Sequence, residues 1–287
     1  MGTILRDSLA RARGQILVWG LALGLLGALF GTFYDTLQAQ REGYEALMRG
    51  MPPEMLAFFG GVVDMFSPVG YLGLYFYSYM PVVAGIYAIL AGSGIVAADE
   101  EAGRLDLMLA QPVRRVTFLV ARILAFALTL GAILALTWIG FAASAPGSGL
   151  GLGPGRLALP LVSLWVLLLA YGLLALLFSQ VLPSRSAAAS AAGLVLVTDY
   201  VLVSWQSIDP SLESLARALP QGYYQGAEAL NGLDLGRLGV LLGAGVVLGL
   251  LALWRFGRRD IRVAGEGGWR LPGWRRRAPL PHDVRAG

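Results

Sequence analysis

The sequence predicts an all-α integral membrane protein with six transmembrane helices, and three observations carry that reading. Hydrophobic residues make up 56% of the 287 and charged residues 14%, with a mean hydropathy of +0.66, outside the range of soluble chains. Six stretches have the length and apolarity needed to cross a bilayer, about 20 residues each: residues 16–34, 71–98, 116–143, 157–181, 187–205 and 238–254. All 22 basic residues are Arg. With six spans most of them fall on one side, leaving Arg41, Arg49, Arg156, Arg217 and Arg237 in the opposite loops. The positive-inside rule then places both termini in the cytoplasm of a multi-pass protein of the cell (inner) membrane. The fifth span is the weakest by composition, because 186–193 is nearly all Ala and Ser; a five-span reading would lose the arginine asymmetry.

Taken in order, residues 2–14 set Ile4, Leu5, Leu9 and Ala12 against Arg6, Asp7, Arg11 and Arg13. This pattern predicts an interfacial elbow helix before the first span turns inward. Basic residues ahead of an apolar run resemble a secretory signal, but the run ends in Phe30-Gly31-Thr32-Phe33-Tyr34 rather than a small-x-small site, so it reads as a retained span. The outer segment 35–70 predicts two helical turns over 42–49, a break at Pro52-Pro53 and a restart over 54–59. The segment 206–237 predicts an amphipathic helix over 211–219 stopped by Pro220 and another over 223–230. Thus short outer helices are expected before spans two and six. Residues 146–155 read as a glycine-rich outer turn and 180–185 as a tight inner one.

Small-residue spacing recurs at Gly20/Gly24 and Gly27/Gly31 in span one and at Gly239/Gly243 and Gly245/Gly249 in span six. Such faces allow close helix approach. Tyr75, Tyr77 and Tyr79 read as an interfacial aromatic belt. Residues 1–260 form the membrane domain and 261–287 an Arg/Trp-rich cytoplasmic tail, whose simplest role is contact with anionic lipid headgroups at about 1 kcal/mol per Arg. No nucleic-acid motif accompanies the charge.

Residue types exclude several chemistries and point to no catalytic residue in this chain. A phosphate-cradling loop needs Gly-x-x-x-x-Gly-Lys-Ser/Thr, and the sequence has no lysine. The single His282 lies in the tail and Cys is absent, which removes a membrane Ser–His pair and thiolate metal sites; no metal-ligand spacing occurs. Asp199 is the carboxylate placed clearly inside a span. A mid-span acid is expensive, so it either lines a pathway, with Thr198 and Tyr200 beside it, or forms a structural pair with Thr198 or a neighbouring helix. Arg122, two turns into span three, reads as a structural residue that snorkels to the inner headgroups.

The most informative segment joins spans two and three: Asp99-Glu100-Glu101-Ala102-Gly103-Arg104-Leu105-Asp106-Leu107-Met108-Leu109-Ala110-Gln111-Pro112-Val113-Arg114-Arg115. A connector between spans needs only a turn, so a charged helical insert predicts a surface for a partner. Glu100 and Arg104 at i,i+4 brace the helix, Leu105, Met108 and Leu109 offer an apolar ridge, and Pro112 fixes the return to the bilayer. Together with the six spans and cytoplasmic termini, this string resembles the permease subunits of the type-2 ABC exporter family, over residues 1 to about 260. The resemblance implies that the segment is the cytoplasmic coupling helix that docks on an ATPase, with roles for Glu100, Glu101, Gly103, Leu105, Pro112 and Arg115. It further implies a second permease copy or homologue and two ATPase subunits that hold ATP and Mg, this chain binding no cofactor. The expected activity is ATP-driven export by alternating access, of an amphipathic drug, peptide or lipid-like substrate. Two other readings stand beside it: a proton-coupled secondary transporter using Asp199, and a non-transporting membrane scaffold.

Overall fold

The computed structural model describes residues 1–43, 66–105, 114–206 and 209–258, which contain helices and no strand. The long helices are α1 (Gly2–Ala39), α3 (Met80–Glu101), α4 (Arg115–Ser144), α5 (Pro154–Val181), α6 (Arg185–Trp205) and α8 (Leu235–Arg258), with the short α2 (Pro68–Leu72) before α3 and α7 (Glu213–Ala216) before α8. Six helical stretches are long and apolar enough to cross a membrane, α2 and α3 counting as one, Pro68–Glu101. The six-span reading therefore holds, the Ala/Ser-rich fifth span included. The end of the bundle that carries the N-terminus, the α3–α4 connection and the α5–α6 turn is called the inner end below, and the opposite one the outer end.

The amphipathic N-terminal residues are helical but are not set off by a turn. They run without interruption into span one as α1, because no proline or turn sequence between residues 12 and 18 stops propagation once the helix has started. Between α2 and α3 the helix widens into one π turn, Gly73–Tyr77. Pro81 explains the irregularity, since it has no N–H to give to the carbonyl four residues earlier. That carbonyl, on Tyr77, accepts instead from the Tyr224 hydroxyl at 3.2 Å, which ties the outer segment before α8 to the start of α3. Tyr77 itself is 1% exposed and packs on Phe76 and Phe141, whereas Tyr75 and Tyr79 face outward. Only these two fit the expected aromatic belt.

α3 and α5 form the centre. Two thirds of their most apolar stretch is buried inside the chain (67% each), against 28% for α1 and 22% for α6 and α8. Their contact passes through two glycines: a Cβ on Gly92 would lie 2.2 Å from the Gly172 carbonyl oxygen. α1 packs along α4 in the same way, and a Cβ on Gly140 would lie 1.9 Å from the Gly24 carbonyl oxygen. Gly20, Gly24, Gly27 and Gly31 all face α4, while of the two α8 pairs Gly245 and Gly249 meet a neighbouring helix, at Leu173 of α5 at 3.8 Å, and Gly239 and Gly243 do not. Of the outer helices expected before span two, 42–49 and 54–59 fall largely outside the described residues. Before span six the helix expected over 211–219 shrinks to α7, preceded by a 3-10 turn at Pro210–Leu212, and the one expected over 223–230 is replaced by 3-10 turns at Pro220–Tyr223 and Gly226–Asn231.

Candidate functional site at the inner end

Three consecutive acids close α3, and each is placed by the way that helix stops. Gly103 has φ +64°, a left-handed conformation that suits glycine. The Arg104 N–H donates to the Asp99 carbonyl at 2.9 Å and the Gly103 N–H to that of Glu100 at 3.0 Å. This double bond pattern is a Schellman cap. Residues 99–101 are thus the last turn of the membrane helix rather than the start of a separate one.

The cap aims Asp99 into the bundle, where it is 4% exposed. Its Oδ2 pairs with the guanidinium of Arg122 on α4, which also donates to the Ile95 carbonyl at 3.1 Å and lies 5.0 Å from the Phe118 ring. Its Oδ1 accepts from Arg104 Nε at 3.1 Å. Arg122 therefore does not snorkel to the headgroups; a carboxylate at its own depth on the adjacent antiparallel helix offers a stronger partner. Breaking such a buried pair from one side typically costs about 3–5 kcal/mol.

Glu101 is exposed and turns the other way, accepting from the backbone N–H of Arg185 at 3.0 Å. This places a carboxylate at the N-terminus of α6, a favourable position for negative charge. Ser184 caps the same helix, its Oγ accepting from Ala187 N–H at 3.1 Å. Glu101 thereby joins the end of α3 to the start of α6.

Of the other residues expected at the docking surface, Arg104 and Arg115 are exposed and Gly103 is half-buried. Glu100 is buried at 6% and Leu105 at 1%, the latter within the main apolar core. The expectation of Leu105 on an outward ridge is corrected here: the left-handed turn at Gly103 reverses the chain and drops Leu105 onto the bundle. The expected brace is also displaced, since Arg104 reaches Asp99. Met108, Leu109 and Pro112 lie outside the described residues. Sequence reasoning passed over Asp99 as a site residue, although an acid at the inner end of span two and an arginine two turns into span three were a signal for the pair.

Asp199 sits apart, toward the outer end, and is 1% exposed. Its Oδ2 accepts from the Tyr171 hydroxyl of α5 and from the Gln221 N–H at 3.1 Å, while Oδ1 has no hydrogen-bond partner among the described residues. Thr198 is exposed and Tyr200 half-buried, so the structure does not gather the three residues into one lining. Asp199 instead ties α5, α6 and the outer segment together.

A groove of about 600 Å³ runs between α3 and α6, with Ile86, Leu90 and Val197 on its walls and Glu101 and Arg185 at its inner end. No group of three or more His, Cys, Asp or Glu among the described residues is placed to hold a metal. Residues 5–261 match the family described as ABC-2 family transporter protein. No curated protein matches the chain significantly.

Proposed function

The chain belongs to the ABC-2 family of membrane transporter proteins, and from that premise we propose that it is the membrane-spanning permease subunit of an ATP-driven exporter. It acts with an ABC ATPase; two ATPase copies, each holding ATP and Mg, and a second permease copy or homologue complete the transporter. The inner end and both termini face the cytoplasm. The cargo is amphipathic, a drug, peptide or lipid-like molecule, in keeping with a span interior of Leu, Gly, Tyr and Trp and a laterally open apolar groove. ATP hydrolysis belongs to the partner and not to this chain.

The observation that carries the reading is the divergence of two neighbouring acids. Asp99 grips α4 through Arg122 and Glu101 grips the first N–H of α6, and both lie immediately before the segment 105–114. A displacement of that segment by closing ATPases is thus delivered to two helices on opposite sides of α3. Arg104 and Arg115, exposed at its two ends, offer charge to the ATPase surface; Met108, Leu109 and Pro112 are proposed to complete the contact.

The test uses the transporter reconstituted in vesicles with its co-purifying ATPase. Glu101→Arg places a cation at the α6 N-terminus and removes the carboxylate, so transport should fall about tenfold or more while ATP hydrolysis continues, the difference equivalent to about 1.4 kcal/mol of lost coupling. Unchanged transport at an unchanged melting temperature would sink the proposal. A chain that transports with no ATPase present would instead favour the secondary carrier.

A further inference from the structure

The groove between α3 and α6 combines three features that belong together chemically. Its walls are hydrocarbon and open to the side, Ile86 being 50%, Leu90 48% and Val197 51% exposed, over a buried floor of Ile89 and Leu196. It is unfilled by the chain itself at its middle, where a Cβ on Gly193 would meet nothing within 4 Å. Its inner end holds the Arg185 guanidinium.

That guanidinium is oriented against expectation. A long cation at the start of a membrane helix ordinarily snorkels toward water, but Arg185 runs the other way, donating from Nη2 to the Leu90 carbonyl at 3.0 Å and lying within 3.1 Å of where a Gly94 Cβ would be. Gly94 precedes Glu101 by seven residues, so the charge sits roughly 10 Å along α3 from its end. Among the described residues Arg185 has no ion-pair partner. Guanidinium carries five N–H donors, and one goes to Leu90. Ser186 and Ser190 line the same wall.

We infer that this groove binds an anionic phospholipid of the surrounding bilayer, its phosphate on Arg185 and the serine hydroxyls, and an acyl chain along Ile86, Leu90 and Val197. Charge selects the headgroup, because a planar fork of donors in a low-dielectric setting favours phosphate. Glu101 selects the route. Its exposed carboxylate lines the inner end of the groove and would repel a free anion arriving from that end, whereas a bilayer lipid would enter through the lateral opening. The binding site stands whether or not the chain is an exporter, and its test does not use transport.

The purified full-length protein in a neutral detergent is titrated with phosphatidylglycerol, with phosphatidylcholine of the same chains, and with glycerol phosphate, bound lipid being counted by native mass spectrometry. The wild type is expected to hold phosphatidylglycerol about tenfold more tightly than phosphatidylcholine, and glycerol phosphate not measurably. Arg185→Gln keeps a donor for Leu90 but removes the charge, and should bring the two lipids level. Gly193→Trp fills the open middle and should weaken both. Arg275→Gln, in the arginine-rich C-terminal segment, should change nothing, which separates the groove from diffuse attraction by the tail. A preference that survives in Arg185→Gln at unchanged melting temperature overturns the inference, as does glycerol phosphate binding as tightly as the lipid. If Arg185→Gln does not fold, Gly193→Trp decides: undiminished phosphatidylglycerol retention in that variant refutes the site. Spontaneous cross-linking of two copies through Gly193→Cys would assign the groove to a second copy and overturn it equally.

Discussion

At Gly103 a single backbone angle decides where a functional segment starts. An L side chain in the left-handed region costs about 1–2 kcal/mol, so Gly103→Ala should lower the melting temperature by a few degrees. Gly151 has nearly the same φ, +62°, in the outer turn, with open space around it. Gly151→Ala should therefore give a similar thermal loss, and only Gly103→Ala should also reduce transport per ATP hydrolysed, since only there does the strain re-aim Asp99 and Glu101. Equal transport losses in the two would remove the special role of the α3 cap. Asp199 offers a second contrast. Asp199→Ala leaves the Tyr171 hydroxyl and the Gln221 N–H without their shared acceptor, at about 1–3 kcal/mol for each buried group. Asp199→Asn retains a carbonyl oxygen for both, so the melting temperature should fall clearly for Ala and little for Asn. A large loss of transport in a stable Asn variant would instead return Asp199 to the pathway.

Among the elements, the sequence marked out faces but not their partners. The glycine spacing of span one was legible, and all four residues do face a neighbour; that the neighbour is α4 was not, because a small-residue stripe says how closely helices approach and nothing about which one arrives. The same spacing at Gly239 and Gly243 leads nowhere, with no atom within 4 Å of either Cβ position. Helix α1 also shows why the expected elbow has no boundary of its own: its first residues are amphipathic and helical, but amphipathicity fixes a face and only a breaker fixes a boundary. In the candidate site, Glu101 could be singled out as a charged residue in an unusual connector, yet its bond to the α6 backbone joins residues 84 positions apart, beyond any local pattern. The glycine contacts give a graded prediction. Gly140→Leu sets a side chain against the α1 backbone and should prevent stable folding, read as loss of monodisperse protein on extraction, whereas Gly243→Leu should be tolerated. Comparable yields from both would contradict the α1–α4 contact.

For the whole molecule, the spans divide into a core pair and a periphery. α3 and α5 are locked by the Gly92–Gly172 contact and buried over two thirds of their apolar stretch, while α6 and α8 leave most of theirs uncovered by the rest of the chain. A transporter must hold one part still while another moves, and interhelical packing is the term that differs among these helices, since each forms its backbone hydrogen bonds internally. α3 is thus the natural fixed axis: it meets α5 through backbone contact that admits no sliding, and toward its inner end it holds α4 and α6 through hydrogen bonds that each use a side chain, with Arg122 at Asp99 and the Ile95 carbonyl and with Arg185 at Glu101 and the Leu90 carbonyl. Side-chain links permit rotation where glycine contacts do not. Amide hydrogen exchange of the detergent-solubilised protein should accordingly be slowest over residues 82–98 and 160–180 and measurably faster over α6 and α8, because opening free energy follows the packing that must be undone. The contrast should grow in Glu101→Gln, which loosens the α6 N-terminus and leaves the α3–α5 contact untouched. Exchange in α3 as fast as in α6 would show that the axis lies elsewhere in the bundle.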